Sequence, residues 1–128
     1  MYSITEVTIN NITYTALTDG IEYLVNLCPH SITMVVGEEP INIPPSGQLA
    51  RRSQKTVRSG RMFCGFPVSH NEYGEVTGLP EATTNVGFFV SGLVKGDPSC
   101  RDRADVFAPS ETVRDTSGQV AGATSLGE

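Results

Sequence analysis

The sequence predicts a β-rich α+β fold, a single small domain of short strands closed as a curved sheet or barrel-like structure, with at most one or two short helices. Three observations predict it. Apolar residues recur at every second position through the first half of the chain, which is the period of a half-buried strand. The 13 glycines and 8 prolines follow no period, so they indicate many turns. No amphipathic segment of helical period exceeds about two turns.

The N-terminal region predicts a hairpin and a third strand. Apolar alternation up to Ile9 reaches the Asn10–Asn11 pair, which tolerates positive φ, and it resumes at Ile12. A third alternating stretch follows over 21–27 and ends before Pro29, because proline cannot donate to a sheet ladder.

The middle of the chain predicts strands separated by a loop. Alternation over 32–36 predicts a fourth strand, whereas 41–43 is too short to be more than an edge strand. The polar and aperiodic stretch over 52–60 predicts an exposed loop. The apolar stretch over 62–68 predicts a strand that bends at Gly65.

The last third predicts a buried strand, a short helix and a second hairpin. The most hydrophobic run, over 86–91, is typical of a central strand buried on both faces. Ser91 can cap a short helix, although glycine and proline over 92–98 make that helix a weak one. The turn residues over 115–118 predict a hairpin between the flanking segments.

Length and composition indicate one soluble domain. A chain of 128 residues has the usual length of a single domain. We expect one compact unit, with residues 1–25 as an N-terminal hairpin extension and residues 26–128 as the main domain. The net charge of −5 repels phosphate backbones, so we expect neither nucleic acid nor membrane as a partner. We identify no signal peptide and no apolar run long enough to span a bilayer.

The three cysteines, Cys28, Cys64 and Cys100, are widely spaced and odd in number. This fits neither a disulfide framework nor a zinc site. We therefore predict reduced thiols in a cytoplasmic protein, with no metal and no cofactor.

Polar residues near the first turns offer binding chemistry. Five of the nine cations lie within 51–61, which indicates either a solvated loop or an anion-binding loop. The hydroxyl of Ser46, in a Pro-Ser-Gly turn, either bonds its own backbone or meets a phosphate oxygen. Arg51 would then pair with that phosphate bidentately. His30, after a strand break, is either a structural residue or a ligand donor or general base.

Two further pairs and one arginine complete the candidate ligand-binding residues. Tyr73 and Glu75 are two apart, so on a strand they share a face, where they form a surface pair or bind a base and a ribose. Arg103 and Asp105 have the same spacing, which fits an ion pair within one strand or contacts with a ligand. Arg114 precedes a turn and would meet phosphate.

These residues sit in six short motifs that occur in order between residues 26 and 126. Together the motifs resemble a family of small proteins encoded by bacteriophages, prophages and actinobacterial genomes. The resemblance implies a viral or prophage origin and the cytoplasm of a bacterial host. The first 25 residues and Gly96-Asp97-Pro98 depart from the family pattern. The matching segments are N-L-x-P-H at 26–30, P-P-S-G-x-x-A-R at 44–51, Y-G-x-V-x-G-L-P at 73–80, V-S at 90–91, R-x-D-V-x-A-P at 103–109 and V-R-D-x-x-G-x-V-x-G at 113–122.

Three functions follow from these observations. The first is a phage-type binding protein, a homo-oligomer that sequesters a phosphate-bearing small molecule without turnover. The bound molecule would be a host immune signal of the cyclic-nucleotide or ADP-ribose type. By binding it, the protein would act as an anti-defence sponge that removes the signal. The second is a virion accessory protein or a protein inhibitor, which docks through the edge of the N-terminal hairpin. The third is a nucleotide-cleaving enzyme, although no motif supplies a nucleophile or a metal site.

Overall fold

The computed structural model describes residues 2–36 and 39–128, and it confirms the predicted β-rich single domain. Two short helices accompany the strands over this range. In chain order the elements are β1 (Ser3–Ile9), β2 (Ile12–Thr18), β3 (Tyr23–Asn26), β4 (Ile32–Val36), β5 (Glu39–Ile43), β6 (Arg51–Phe63), β7 (Phe66–Thr77), β8 (Val86–Phe89), α1 (Gly92–Lys95), α2 (Pro98–Arg101), β9 (Val106–Arg114) and β10 (Val120–Gly127).

Eight strands form one mixed sheet in the order β1-β2-β3-β8-β9-β10-β4-β5. β8 is parallel to both of its neighbours, and β10 is parallel to β4, whereas the other pairs are antiparallel. The predicted N-terminal hairpin is confirmed, because Asn10 and Asn11 both adopt positive φ in the turn between β1 and β2. The predicted edge strand is β5, at the end of the sheet.

The central strand β8 is buried on both faces, as predicted. Phe88 and Phe89 have no exposed surface, and they belong to two separate apolar clusters on opposite faces of the sheet. The predicted short helix is α1, whose N-cap Ser91 accepts a hydrogen bond from the amide of Val94 at 3.3 Å.

The sheet curves, and its two ends pack against each other. One face packs Tyr14, Val25 and Phe88 against α1 and α2. The other face brings Leu17, near one end of the strand order, into a cluster with Ile43, at the other end. Residues near both ends of the strand order therefore share one cluster, as a curved sheet requires, although β1 and β5 are not paired with each other among the described residues.

The predicted N-terminal extension is built into this sheet. β2 pairs with β3, and Tyr14 and Ala16 are buried in the core. Near the C-terminal end, the predicted second hairpin is also present. The amide of Gly118, at φ +87°, donates to the carbonyl of Asp115 at 3.0 Å.

Two predictions for the middle of the chain are wrong. Residues 52–60 are not a loop but part of β6, which pairs with β7 in a separate two-stranded sheet. The alternation of apolar and polar residues that usually indicates a strand is missing here. Both faces of this hairpin are exposed, so neither face selects apolar residues. Residues 62–68 are not one bent strand, since Cys64 and Gly65, with φ of +49° and +81°, form the turn between β6 and β7.

No helix within the described residues has the length and apolar character needed to cross a bilayer.

Candidate functional site

The hairpin of β6 and β7, residues 51–77, is the main surface feature, and we call it the arm. Its strands have 13 and 12 residues, and none of their residues is buried. At about 3.3 Å per residue, the arm is about 40 Å long. A two-stranded hairpin is only marginally stable in water by itself. The stability of the arm therefore depends on its connection to the body.

Arg52 ties the base of the arm to the body. Its Nη1 donates to the carbonyl of Leu93 in α1 at 3.2 Å, and its Cζ lies 4.5 Å from the centroid of the Tyr73 ring. Its Nε is 3.4 Å from Oδ2 of Asp97, the N-cap of α2. This contact is an ion pair without hydrogen-bond geometry, because the buried Nε has no hydrogen-bond partner among the described residues. These contacts hold the base of the arm in one orientation.

A bulge in β7 separates two residues that the sequence places together. Gln54 pairs with Tyr73 and Arg52 with Val76, so both Gly74 and Glu75 lie opposite Ser53. Tyr73 therefore shares its face with Val76 and Arg52. The prediction that Tyr73 and Glu75 share a face is wrong, because the extra residue breaks the alternation. A Cβ at position 74 would lie 1.8 Å from Oγ and 3.2 Å from Cβ of Ser53, so a larger residue there would force the Ser53 hydroxyl to rotate away.

The tip of the arm is apolar and exposed. Met62, Phe63 and Phe66 are 58%, 65% and 72% exposed, and Cys64 in the turn is exposed as well. The guanidinium of Arg61 lies 6.0 Å from the centroid of the Phe63 ring, so a cation accompanies the apolar tip. The tip therefore exposes three large apolar side chains that are close together in the sequence.

Charge is divided unevenly between the arm and the rest of the chain. The arm carries five of the nine cations and two of the fourteen carboxylates. The body therefore carries four cations and twelve carboxylates. A basic arm projects from an acidic body, and the fields of the two parts are complementary.

A cavity of about 430 Å³ opens on the concave face of the sheet. No arginine or lysine of the described range lines it. Asp19 and Glu22, in the turn between β2 and β3, lie at its edge. The amides of Glu22 and Ile21 donate to Asp19 and hold its pKa below the usual value, so Asp19 is anionic at neutral pH. Its apolar lining includes Leu17, Tyr23, Leu24, Met34, Ile41, Ile43 and Phe107.

A second cavity of about 240 Å³ lies where the β1–β2 turn meets residues 78–81. Ile9, Tyr14 and Pro80 contribute to its lining, with Glu81 as its charged residue. Over the described ranges, no group of three or more His, Cys, Asp or Glu residues is arranged to bind a metal ion.

His30 and Ser46 engage the backbone. His30 is exposed, and its Nδ1 lies 3.2 Å from the carbonyl oxygen of Ser31. Ser46 is buried, its hydroxyl donates to the carbonyl of Gln48, and its amide donates to the carbonyl of Asn26. The hydroxyl and the amide of Ser46 therefore both have partners within the fold, which matches the turn-serine interpretation.

Arg103 and Asp105 form the predicted ion pair, but they lie in the turn before β9 and not within one strand as predicted. Nη2 and Nε of Arg103 donate to the two carboxylate oxygens at 2.6 and 2.9 Å, and Nη1 donates to the carbonyl of Pro80 at 2.8 Å. The hydrogen bonds from Arg103 hold the pKa of Asp105 below its usual value. Arg114 is exposed and donates to the carbonyl of Gly118 across its own turn. Both arginines have partners in the fold.

The eight predicted ligand-binding residues do not meet in one cavity. None of them lines either cavity described above. Arg51 is exposed at the base of the arm, and Glu75 is exposed on its second strand. Arg103 and Asp105 contact each other, and Tyr73 contacts Arg52, which was not among the predicted residues.

Sequence reasoning missed the arm, and its turn explains why. A two-residue hairpin turn usually shows Asn-Gly or Asp-Gly, whereas this turn is Cys64-Gly65. Gly65 between two phenylalanines was the available signal. The sequence predicts a bend at Gly65 because the polar stretch before it resembles a loop.

No family model, no curated protein and no solved structure matches this chain. The resemblance to phage and actinobacterial proteins stays a prediction.

Proposed function

We propose that the protein is a non-catalytic interaction protein that assembles into a homo-oligomer, with the arm as its docking element. This is the structural or protein-interaction class among the functions that the sequence leaves open. The observation that carries the proposal is the tip. Met62, Phe63 and Phe66 are each more than half exposed at the end of a hairpin that has no buried residue. Covering such side chains with another protein surface is favourable, because it removes apolar area from water.

The rest of the arm supports docking through its tip rather than through its edges. The base is held by the contacts of Arg52 with α1 and Asp97, so the tip is presented in a defined direction. The middle of β6 carries Lys55 and Arg58, and charged side chains on exposed strands oppose edge-to-edge pairing with another sheet. The tip is therefore the part of the arm best suited to contact a partner.

The N-terminal hairpin is a less suitable docking element. β1 is an edge strand, so its outer backbone groups are open to strand addition. However, Tyr14 and Ala16 of the same hairpin are buried in the core. Deletion of residues 1–20 would therefore disrupt the fold and would not isolate a docking role.

The basic arm also favours a second candidate, the sequestration of a phosphate-bearing small molecule. Arg51, Lys55 and Arg58 are exposed, and their side chains have no hydrogen-bond or ion-pair partner among residues 2–36 and 39–128. In an oligomer, neighbouring arms would bring such cations together around an anion. Isothermal titration with cyclic nucleotides and ADP-ribose compounds tests this candidate, and absence of heat with all of them would exclude it. Chromatography of the recovered ligand separates sequestration from cleavage.

The assembly proposal is tested by light scattering and native mass spectrometry. The wild-type protein should be oligomeric, and a Phe63→Ser, Phe66→Ser double variant should be monomeric with an unchanged circular dichroism spectrum. Ile12→Ser is the matched control, because Ile12 is exposed but lies outside the arm. A monomeric wild-type protein would refute the proposal, and so would a double variant of wild-type mass.

A further inference from the structure

The concave cavity and the arm tip are complementary surfaces of one chain. Resting on the assembly function proposed above, we propose that the tip of one arm docks in the acid-edged cavity of a second copy of this chain. The occupant is the turn between β6 and β7, with Phe63 and Phe66 entering the cavity and Arg61 at its edge.

The apolar surfaces match in kind and in size. The cavity is lined by apolar side chains such as Leu24, Met34 and Ile43, and its volume is about 430 Å³. Pockets of roughly 300–1,000 Å³ hold small organic ligands, so two phenyl rings fit in this one. Phe63 and Phe66 flank the two-residue turn and are the most exposed large apolar side chains of the arm.

The charges match as well. Arg61 accompanies the tip, at 6.0 Å from the Phe63 ring. Asp19 and Glu22 lie at the edge of the cavity, where the amide hydrogen bonds to Asp19 keep that carboxylate ionised. The basic arm and the acidic body attract each other at longer range, which favours the arm of one copy approaching the body of another.

The tip of a chain does not occupy the cavity of the same chain. Ala50 and Val76, at the base of the arm, pack against the cluster that contains Phe88. The cavity is lined by Leu17 and Met34, which belong to the cluster on the opposite face of the sheet. Phe63 and Phe66 are 65% and 72% exposed and neither lines the cavity, so the cavity of a chain is not filled by its own tip and we assign the contact to two copies.

The contact joins two different surfaces of the chain, the tip and the cavity. The symmetry of the oligomer therefore depends on how many copies complete a closed set of such contacts. Two copies can exchange arms reciprocally about a two-fold axis, and more copies can close a head-to-tail ring. In both cases every arm and every cavity is occupied. The mass of the oligomer identifies which closure occurs.

Disulfide trapping tests the contact directly. Cys64 is in the tip and exposed, whereas Cys28 and Cys100 are buried. A Glu22→Cys variant should therefore give covalent oligomers through Cys64 of a neighbouring copy under mild oxidation. The controls are Asp102→Cys, exposed outside the cavity lining, and Glu22→Cys with Cys64→Ser. Both controls should stay monomeric on a non-reducing gel.

A charge exchange gives a second readout. Arg61→Glu and Glu22→Lys should each weaken association roughly tenfold, and the double variant should recover it. Glu22 suits this test because its carboxylate makes no hydrogen bond among the described residues. Covalent oligomers from Glu22→Cys alone, with recovery in the double variant, support the proposal.

The failures of the two proposals are distinguishable. If the Phe63→Ser, Phe66→Ser variant is monomeric but Glu22→Cys gives no covalent oligomer and charge exchange has no effect, the arm docks elsewhere. That result overturns the cavity proposal and keeps the assembly function. If the wild-type protein is monomeric, or if the tip variant assembles like the wild type, both proposals fall.

Discussion

Arg103 and Asp105 form a two-point ion pair, with Nη2 to Oδ2 at 2.6 Å and Nε to Oδ1 at 2.9 Å. Both side chains are about four-fifths buried. The guanidinium also lies 5.8 Å from the centroid of the Phe88 ring in the core. The pair therefore connects the segment before β9 to the central strand and to the carbonyl of Pro80.

Asp105→Ala should destabilise the fold, because it leaves the largely buried guanidinium of Arg103 without its carboxylate. We expect the free energy of unfolding to fall by roughly 1–3 kcal/mol. Urea denaturation followed by circular dichroism measures it. Asp102→Ala is the control, since Asp102 is exposed and its carboxylate makes no contact among the described residues. Equal stability of the two variants would contradict the role of the pair.

The same pair predicts how stability depends on pH. The pKa of Asp105 is lower in the folded protein than in the unfolded chain, chiefly because of the hydrogen bonds from Arg103. The unfolded chain thus takes up a proton first as pH falls. The stabilisation is fully present above about pH 4, the ordinary aspartate value, and is lost as pH falls through the folded-state pKa. Asp105→Asn should therefore flatten the fall in stability below about pH 4 in urea titrations compared with the wild-type protein.

Arg52→Ala should loosen the arm without unfolding the body. The substitution removes the contacts with Leu93, Asp97 and Tyr73 at the base. We expect hydrogen exchange over residues 51–77 to speed up roughly tenfold or more, which corresponds to about 1.4 kcal/mol of local stability. Arg51→Ala is the neighbouring control, because Arg51 is exposed and outside this cluster. An arm that exchanges at the wild-type rate in Arg52→Ala would show that Arg52 does not hold it.

Asn26→Ala should weaken the link between β3 and the end of β5 and so destabilise the fold. Asn26 is fully buried, its Nδ2 donates to the carbonyls of His30 and Ile43, and its Oδ1 accepts from the amide of Cys28. The substitution leaves the buried carbonyl of Ile43, the buried amide of Cys28 and the partly buried carbonyl of His30 short of a partner, so we expect a loss of roughly 2–4 kcal/mol. Thermal and urea unfolding measure it against Asn42→Ala, an exposed asparagine on β5. A difference below about 0.5 kcal/mol between the two variants would contradict this role.

The sequence predicted most of the sheet but little of the candidate site. β1, β2, β4 and β8 followed from alternation and from one long apolar run, because each has at least one buried face that selects apolar residues. The Arg103–Asp105 pair followed from the two-residue spacing, although both residues lie in the turn before β9 and not on a strand. The arm could not be predicted in this way. Its strands are stabilised by pairing with each other and not by burial, so they carry no apolar period.

By itself the sequence determined the β-rich class, the turns at Asn10–Asn11 and 115–118 and the buried central strand, because these depend on local propensity and local burial. Only the tertiary structure decided that the two ends of the sheet pack together over a cavity and that β6 pairs with β7. These contacts join residues far apart in the chain, and no local pattern encodes such pairing. The bulge at Gly74 and the contacts of Arg52 likewise exist only once the two strands and α1 have come together.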